Sequence, residues 1–111
     1  MTLEIKYASF SARDMRTRYA ADLYAPLFQG RILDVGCDQC VLKSLIRGID
    51  YIGMDLSGTP DIFHDLEQQP ALPFEDATFD CVLCADVLDH LDHLHQVFDA
   101  LVRVTRGHLI I

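Results

Sequence analysis

The sequence predicts an α/β fold in three layers, a parallel sheet covered by helices on both faces. Two observations carry the prediction. Short apolar runs alternate along the chain with stretches of helical periodicity. Runs such as ILDV and YIGM are continuously apolar, as expected of strands buried on both sides. A third observation concerns function. The residues able to do chemistry fall at the ends of those runs, and in parallel sheets ligands bind outside the carboxyl ends of the strands.

Each element follows from local pattern. Residues 1–10 are mixed in character and read as an extended arm. From Ser11 to about Phe28 the pattern is helical, with Met15, Tyr19, Leu23 and Leu27 four apart on one stripe and Ser9 or Ser11 as cap. Gly30 breaks it, and Ile32-Leu33-Asp34-Val35 follows as a buried strand. Gln39 to Arg47 reads as a helix, with Val41, Leu42, Leu45 and Ile46 apolar and Gly48 as its stop. Tyr51-Ile52-Gly53-Met54 is the second strand and ends at Asp55. Ser57-Gly58-Thr59-Pro60 is a turn, and Asp61-Ile62-Phe63 a short third strand. A loop containing Pro70 and Pro73 leads to the fourth strand, Phe79 to Cys84. Asp92 caps a helix running to about Thr105, with Leu94, Val97, Phe98, Leu101 and Val104 inward. Gly107 ends it, and a fifth strand starts at His108.

At 111 residues the chain is expected to form one domain, and with half its residues hydrophobic it has enough apolar material for a core. It carries 9 basic against 17 acidic residues, a net charge of −8. That balance disfavours nucleic acid as a partner. Arg13, Arg16 and Arg18 cluster near the start and read as a solvated helix face. No apolar run approaches a membrane span, and the first residues lack the pattern of a signal peptide. Four cysteines without a secretion signal imply free thiols in a reducing compartment, the cytoplasm.

The stretch RILDVGCDQC, Arg31 to Cys40, is the most informative. A strand ends in an acid, and Gly36 then opens a loop at the start of a helix, where backbone N–H groups are expected to approach a ligand. Asp55 follows roughly twenty residues after this loop, at the end of the next strand, where an acid can accept both hydroxyls of a ribose. The spacing asks for an adenosine-type ligand. Asp34 is placed to order the loop or to meet a cationic group.

In order, RILDVGCDQC, YIGMDLS, DLEQQPALPFEDATFDCVLCADVLDHL and RVTRGHLII resemble class I S-adenosylmethionine-dependent methyltransferases, from about Gly30 to Ile111. The GxGxxG fingerprint of dinucleotide dehydrogenases is absent. The resemblance implies a Rossmann-like sheet whose full order is 3-2-1-4-5-7-6, here lacking its last strands. Residues 1–28 would be an N-terminal arm and helix, and 29–111 the cofactor-binding core. It implies that S-adenosylmethionine is the cofactor and that Asp34, Gly36 and Cys37 form the loop beside its methionine part. Asp55 would bind the ribose, with Leu56 against the adenine. Asp65 and the Leu66 N–H would meet the adenine amino group. The backbone of Ala85 would face the methionine end, and His90 matches the histidine of an EHL-like segment. The methyl acceptor is expected to be a small molecule. No catalytic residue is assigned, although Asp86 or His90 could orient the acceptor or act as a base.

Two departures stand out. Asp38 and Cys40 occupy positions where the family often has glycine, and Asp38 reads as a helix N-cap. The sequence also stops at the start of the fifth strand. It reads either as part of a longer enzyme or as a non-catalytic module whose open fifth-strand edge pairs with another chain, including a second copy. Each site residue has a plainer reading too: Asp55 and Asp65 as turn acids, Gly36 as a tight turn, Asp34 as a loop-ordering acid and His90 as a helix-start hydrogen-bonder.

The cysteine pairs Cys37-x-x-Cys40 and Cys81-x-x-Cys84 suggest zinc on spacing alone. Residues three apart on a strand face opposite ways, which argues against it for Cys81 and Cys84. Asp34 and Asp38 would raise thiol pKa values near Cys37 and Cys40, which argues against a thioredoxin-like activity. His93 and His95 point to different faces of the expected helix and read as solvated.

Overall fold

The computed structural model describes residues 13–46, 49–85 and 91–111. Among them, five strands form one sheet: β1 (Arg31–Val35), β2 (Asp50–Asp55), β3 (Ile62–Phe63), β4 (Phe79–Cys84) and β5 (Thr105–Ile110). All neighbouring pairs are parallel, and the order is β3-β2-β1-β4-β5. Three α-helices accompany them among the described residues: α1 (Arg13–Leu23), α2 (Val41–Leu45) and α3 (Leu94–Val104).

Strand alternation divides the core into two layers. Leu33, Val35, Met54, Val82 and Cys84 point to one face and pack with Val97, Ala100, Leu101 and Val104 of α3. Ile32, Cys81 and Leu83 point to the other and pack with Ala21 of α1, Phe28 and Leu42 of α2. Neighbouring residues on β1 and β4 therefore serve opposite layers, which is why both strands are mostly apolar on both faces, Asp34 and Asp80 apart. Cys81 and Cys84 are buried in different layers, as their spacing on a strand requires. Leu101 is completely buried, and covering a side chain of that size contributes about 1.5–3 kcal/mol.

The helices differ from the sequence expectation in extent and facing. α1 ends at Leu23, and a 3-10 turn over Ala25–Leu27 takes its place, because Pro26 has no N–H to continue the α-helical ladder. Met15 and Tyr19 lie on its exposed side, and Ala21 is the buried residue. Small side chains bring this helix against the sheet, so the larger apolar residues did not mark its inner face. α2 is five residues long, and only Leu42 is buried. Its N-cap is Cys40, in the left-handed conformation; Asp38 is not the cap. The first-helix caps at Ser9 and Ser11, and Gly48, lie outside the described residues. α3 is capped at His93 rather than Asp92, without a side-chain hydrogen bond. Leu94 and Phe98 are exposed, while Ala100 joins Val97, Leu101 and Val104 inside.

β5 begins directly at Thr105, and Gly107 lies inside it rather than ending α3. A Cβ at Gly107 would collide with the carbonyl of Asp80, at the irregular pairing between β4 and β5. Glycine here permits close backbone approach.

Two connections lack the helix that parallel strands usually need. Residues 56–61 suffice between β2 and β3, because β3 pairs only with the last two residues of β2. The longer loop from β3 to β4 is pinned by α3. Arg103 donates to the carbonyls of Leu72 (2.9 Å) and Phe74 (2.7 Å) and pairs with Asp76 (2.9 Å). Phe74 stands edge-on to Phe79, with centroids 4.9 Å apart. At the amino end of the sheet, Asp80 accepts from the Arg31 N–H and from the Arg106 guanidinium, which hold its carboxyl below the usual carboxylate range.

Candidate cofactor site at the carboxyl edge of the sheet

Strand register builds the site. Val35 lies between Met54 and Cys84, and Asp55 pairs with Phe63. One residue beyond Val35 and Cys84, the register continues Phe63, Asp55, Gly36 and Ala85 in a row along the carboxyl edge. Gly36, Asp55 and Ala85, taken from three separate stretches of sequence, are thus neighbours.

The loop after β1 keeps the backbone shape that glycines would give it. Gly36, Asp38 and Cys40 all have positive φ, at 79°, 48° and 56°. The two residues that stand where glycine is common have adopted the glycine conformation. Asp visits this region readily. A residue such as Cys does so at a cost of roughly 1–2 kcal/mol. The departure in sequence is therefore not a departure in loop geometry.

Four of the loop's N–H groups are turned inward. Those of Gly36 (2.7 Å) and Cys37 (3.2 Å) donate to the carbonyl of Met54, and that of Cys40 donates to the carbonyl of Cys37 (2.7 Å). The Asp38 N–H donates to Asp55 Oδ2 at 2.7 Å. Contrary to the sequence expectation, these four groups are engaged within the protein rather than aimed at a ligand.

Asp55 is the hub. Its Oδ1 accepts from the N–H of Leu56 (2.6 Å) and, more weakly, of Ser57 (3.3 Å). With Asp38 on Oδ2, three of about four acceptor positions on the carboxylate are filled by backbone. Oδ2 keeps one acceptor position open, and the Ser57 bond on Oδ1 is long at 3.3 Å. Leu56 is 64 % exposed, so its side chain is open to a ligand. Beyond β3, Asp65 Oδ1 accepts from the Glu67 N–H at 3.0 Å, and Leu66 anchors the same turn by burying its side chain in the α3-side core. Asp86 and His90 lie outside the described residues.

Asp34 and Cys37 lie beneath the loop. Asp34 is buried, and its Oδ2 accepts from the Tyr51 hydroxyl at 2.6 Å. Burial and the Asp34 charge push the Tyr51 pKa up. Cys37 is buried as well, and burial together with Cys40 drives its thiol pKa well above the ordinary value. A Cβ at Gly53 would lie 2.8 Å from Cys40 Sγ, 2.9 Å from Cys37 Sγ and 3.0 Å from Tyr51 Oη. The bare glycine leaves room for that cluster. Sequence reading did not pick out Tyr51. Its signal was parity: two residues before Gly53, it faces the same side of the sheet as Asp34 once β1 and β2 pair. All four cysteines are free thiols.

A five-stranded parallel sheet in the order 3-2-1-4-5, with an acid closing β2 and a glycine opening the loop after β1, defines a class I S-adenosylmethionine-dependent methyltransferase fold. The comparison with known families agrees: the chain belongs to the methyltransferase domain family, which matches residues 11–111. It is similar to the ubiquinone biosynthesis O-methyltransferase of Paracidovorax citrulli, 32% identical over 102 residues, covering 77% of this chain and 43% of that protein. It is also similar to the protein of the same name from Photobacterium profundum, 30% identical over 113 residues, covering 86% and 48%. The chain spans somewhat less than half the length of these curated relatives.

Proposed function

We propose that this chain is the cofactor-binding part of an S-adenosylmethionine-dependent methyltransferase that acts on a hydroxyl oxygen of a small-molecule acceptor. The observation that carries the reading is the Asp55 carboxylate, fixed by three backbone N–H groups and keeping an acceptor position at the end of β2.

The donor and acceptor balance of the site supports this ligand. The N–H groups of Gly36, Cys37, Asp38 and Cys40 are engaged internally and are not offered to a phosphate. What the site presents is acceptors: the carboxylates of Asp55 and Asp65, and negative charge from Asp34 and Asp38. A ribose diol, an amino group and a cationic centre complement that set, and a pyrophosphate does not. In this reading Asp55 holds the ribose, Leu56 lies along the adenine, and Asp65 with the Leu66 backbone meets the adenine amino group. Asp34, Gly36, Cys37 and Ala85 shape the methionine end. When bound, the cofactor supplies an electrophilic methyl group. The protein's own part is to orient the acceptor oxygen in line with it and to exclude water. The hydroxyl acceptor is taken from the names of the relatives.

Thermal unfolding tests the reading. S-adenosylmethionine at a hundred times its Kd is expected to add about 2.7 kcal/mol to stability, and NAD at the same concentration to add nothing. Equal protection by both ligands, or none by S-adenosylmethionine, overturns it.

A further inference from the structure

The Cys37 and Cys40 sulfurs lie 3.2 Å apart, inside ordinary sulfur–sulfur contact. Backbone geometry brings them together. The Cys40 N–H to Cys37 carbonyl bond closes a turn, the left-handed conformations of Asp38 and Cys40 turn the chain back, and Gly53 makes room beneath both sulfurs. Cys40 is half-buried and within 3.3 Å of the Thr59 carbonyl, while Cys37 is buried. The two thiols therefore differ in access but share one contact. Cys81 and Cys84 lie in opposite core layers and have no such partner in each other.

We propose that Cys37 and Cys40 are a reversible disulfide site within the loop, oxidised by thiol–disulfide exchange with a low-molecular-weight disulfide such as glutathione disulfide. Cys40, the accessible thiol, gives its proton to solvent, and its thiolate attacks one sulfur of the small disulfide. That S–S bond breaks, and the first small thiolate leaves and takes a proton. Cys37 then loses its proton and attacks Cys40 Sγ, which expels the second small thiolate to be protonated in turn. Two protein thiols are oxidised, and one small disulfide is reduced to two thiols. The raised Cys37 pKa makes the second step slow near neutral pH. Proximity offsets this, because Cys37 Sγ already lies 3.2 Å from Cys40 Sγ. The bond closes a ring around Asp38 and Gln39. It holds Asp38 and Cys40 in their left-handed conformations and keeps the Asp38 N–H on Asp55.

Peptide mapping after redox equilibration tests the proposal. The full chain is incubated natively in mixtures of reduced and oxidised glutathione, acid-quenched, alkylated and cut with trypsin. Cleavage at Arg31 and Lys43 separates Cys37 and Cys40 from Cys81 and Cys84. The expected result is loss of two hydrogen atoms from the 32–43 peptide as oxidised glutathione rises, reversed by reduced glutathione, with Cys81 and Cys84 still alkylated. Cys37→Ser, checked for native circular dichroism, is expected to stop at a glutathione adduct on Cys40. A wild-type chain that stops at that adduct, or keeps both thiols alkylatable in excess oxidised glutathione, overturns the proposal; the wild-type result decides if the variant fails to fold.

Discussion

The carboxylate of Asp55, at the end of β2, accepts a 2.7 Å hydrogen bond from the backbone N–H of Asp38, in the loop after β1. One side chain thereby ties two strand ends together and positions an acceptor between them. Removing it has a structural consequence apart from any ligand. Asp55→Ala leaves three N–H groups without their acceptor, in a half-buried place that water reaches in part. A loss of about 1–2 kcal/mol is expected, read from the urea midpoint of the ligand-free chain.

The left-handed residues make a second prediction. Among the described residues, no side-chain hydrogen bond of Asp38 accompanies its φ of 48°, so Asp38→Gly is expected to change stability by less than about 1 kcal/mol. A β-branched residue is a steric outlier in that region. Asp38→Val is therefore expected to destabilise by about 1–2 kcal/mol. Equal denaturation midpoints for the two variants would show that the loop does not hold this conformation.

Stability is expected to fall on the alkaline side. Burial raises the thiols of Cys81 and Cys84 from 9.0 to about 12, and raises Cys37 and Tyr51 as well. The folded chain keeps these protons after the unfolded chain has lost them. Stability is thus complete below the unfolded values and declines above pH 9.0 for the thiols and above 10.0 for Tyr51. Tyr51→Phe is expected to flatten the steeper part of a urea midpoint against pH curve. At neutral pH it is expected to cost about 1–3 kcal/mol, because buried Asp34 loses this hydroxyl donor. On the acid side the sign reverses. Asp80, lowered by the Arg31 N–H and Arg106, contributes stability that is lost as pH falls below 3.8.

Arg103 holds the loop before β4 through two carbonyls; its partner Asp76 is 80% exposed, so that ion pair adds little. Arg103→Met keeps much of the apolar stem and removes both bonds. About 1–2 kcal/mol is expected to be lost, and amide exchange is expected to quicken over residues 72–77 relative to β1.

Strand content and the placement of Gly36, Asp55 and Ala85 at strand ends were legible because both follow from short-range pattern. β1 and β4 announce themselves as apolar runs, and their last residues must reach the carboxyl edge. What depends on partners distant in sequence was not legible. Tyr51 meets Asp34 only through β1–β2 register, and Arg103 finds Leu72 across the α3–loop contact. The inner face of α1 was misread because Ala21, not the bulkier Met15 and Tyr19, lies against the sheet. The loop N–H groups were expected to face a ligand, but Met54 and Asp55 engage three of them. The left-handed conformations of Asp38 and Cys40 were hinted at only by the resemblance to a family that often has glycine at both positions, because neither residue type requires that conformation.

In the proposed function, RILDVGCDQC works as a cofactor loop with Asp38 and Cys40 at positions where glycine is common. Calorimetric titration of the chain with S-adenosylhomocysteine, beside Asp55→Ala, tests it most directly. Saturable one-to-one binding by the wild-type chain is expected, with its loss in a still-folded Asp55→Ala variant. A folded wild-type chain that takes up no ligand, or a variant that binds equally well, would contradict it.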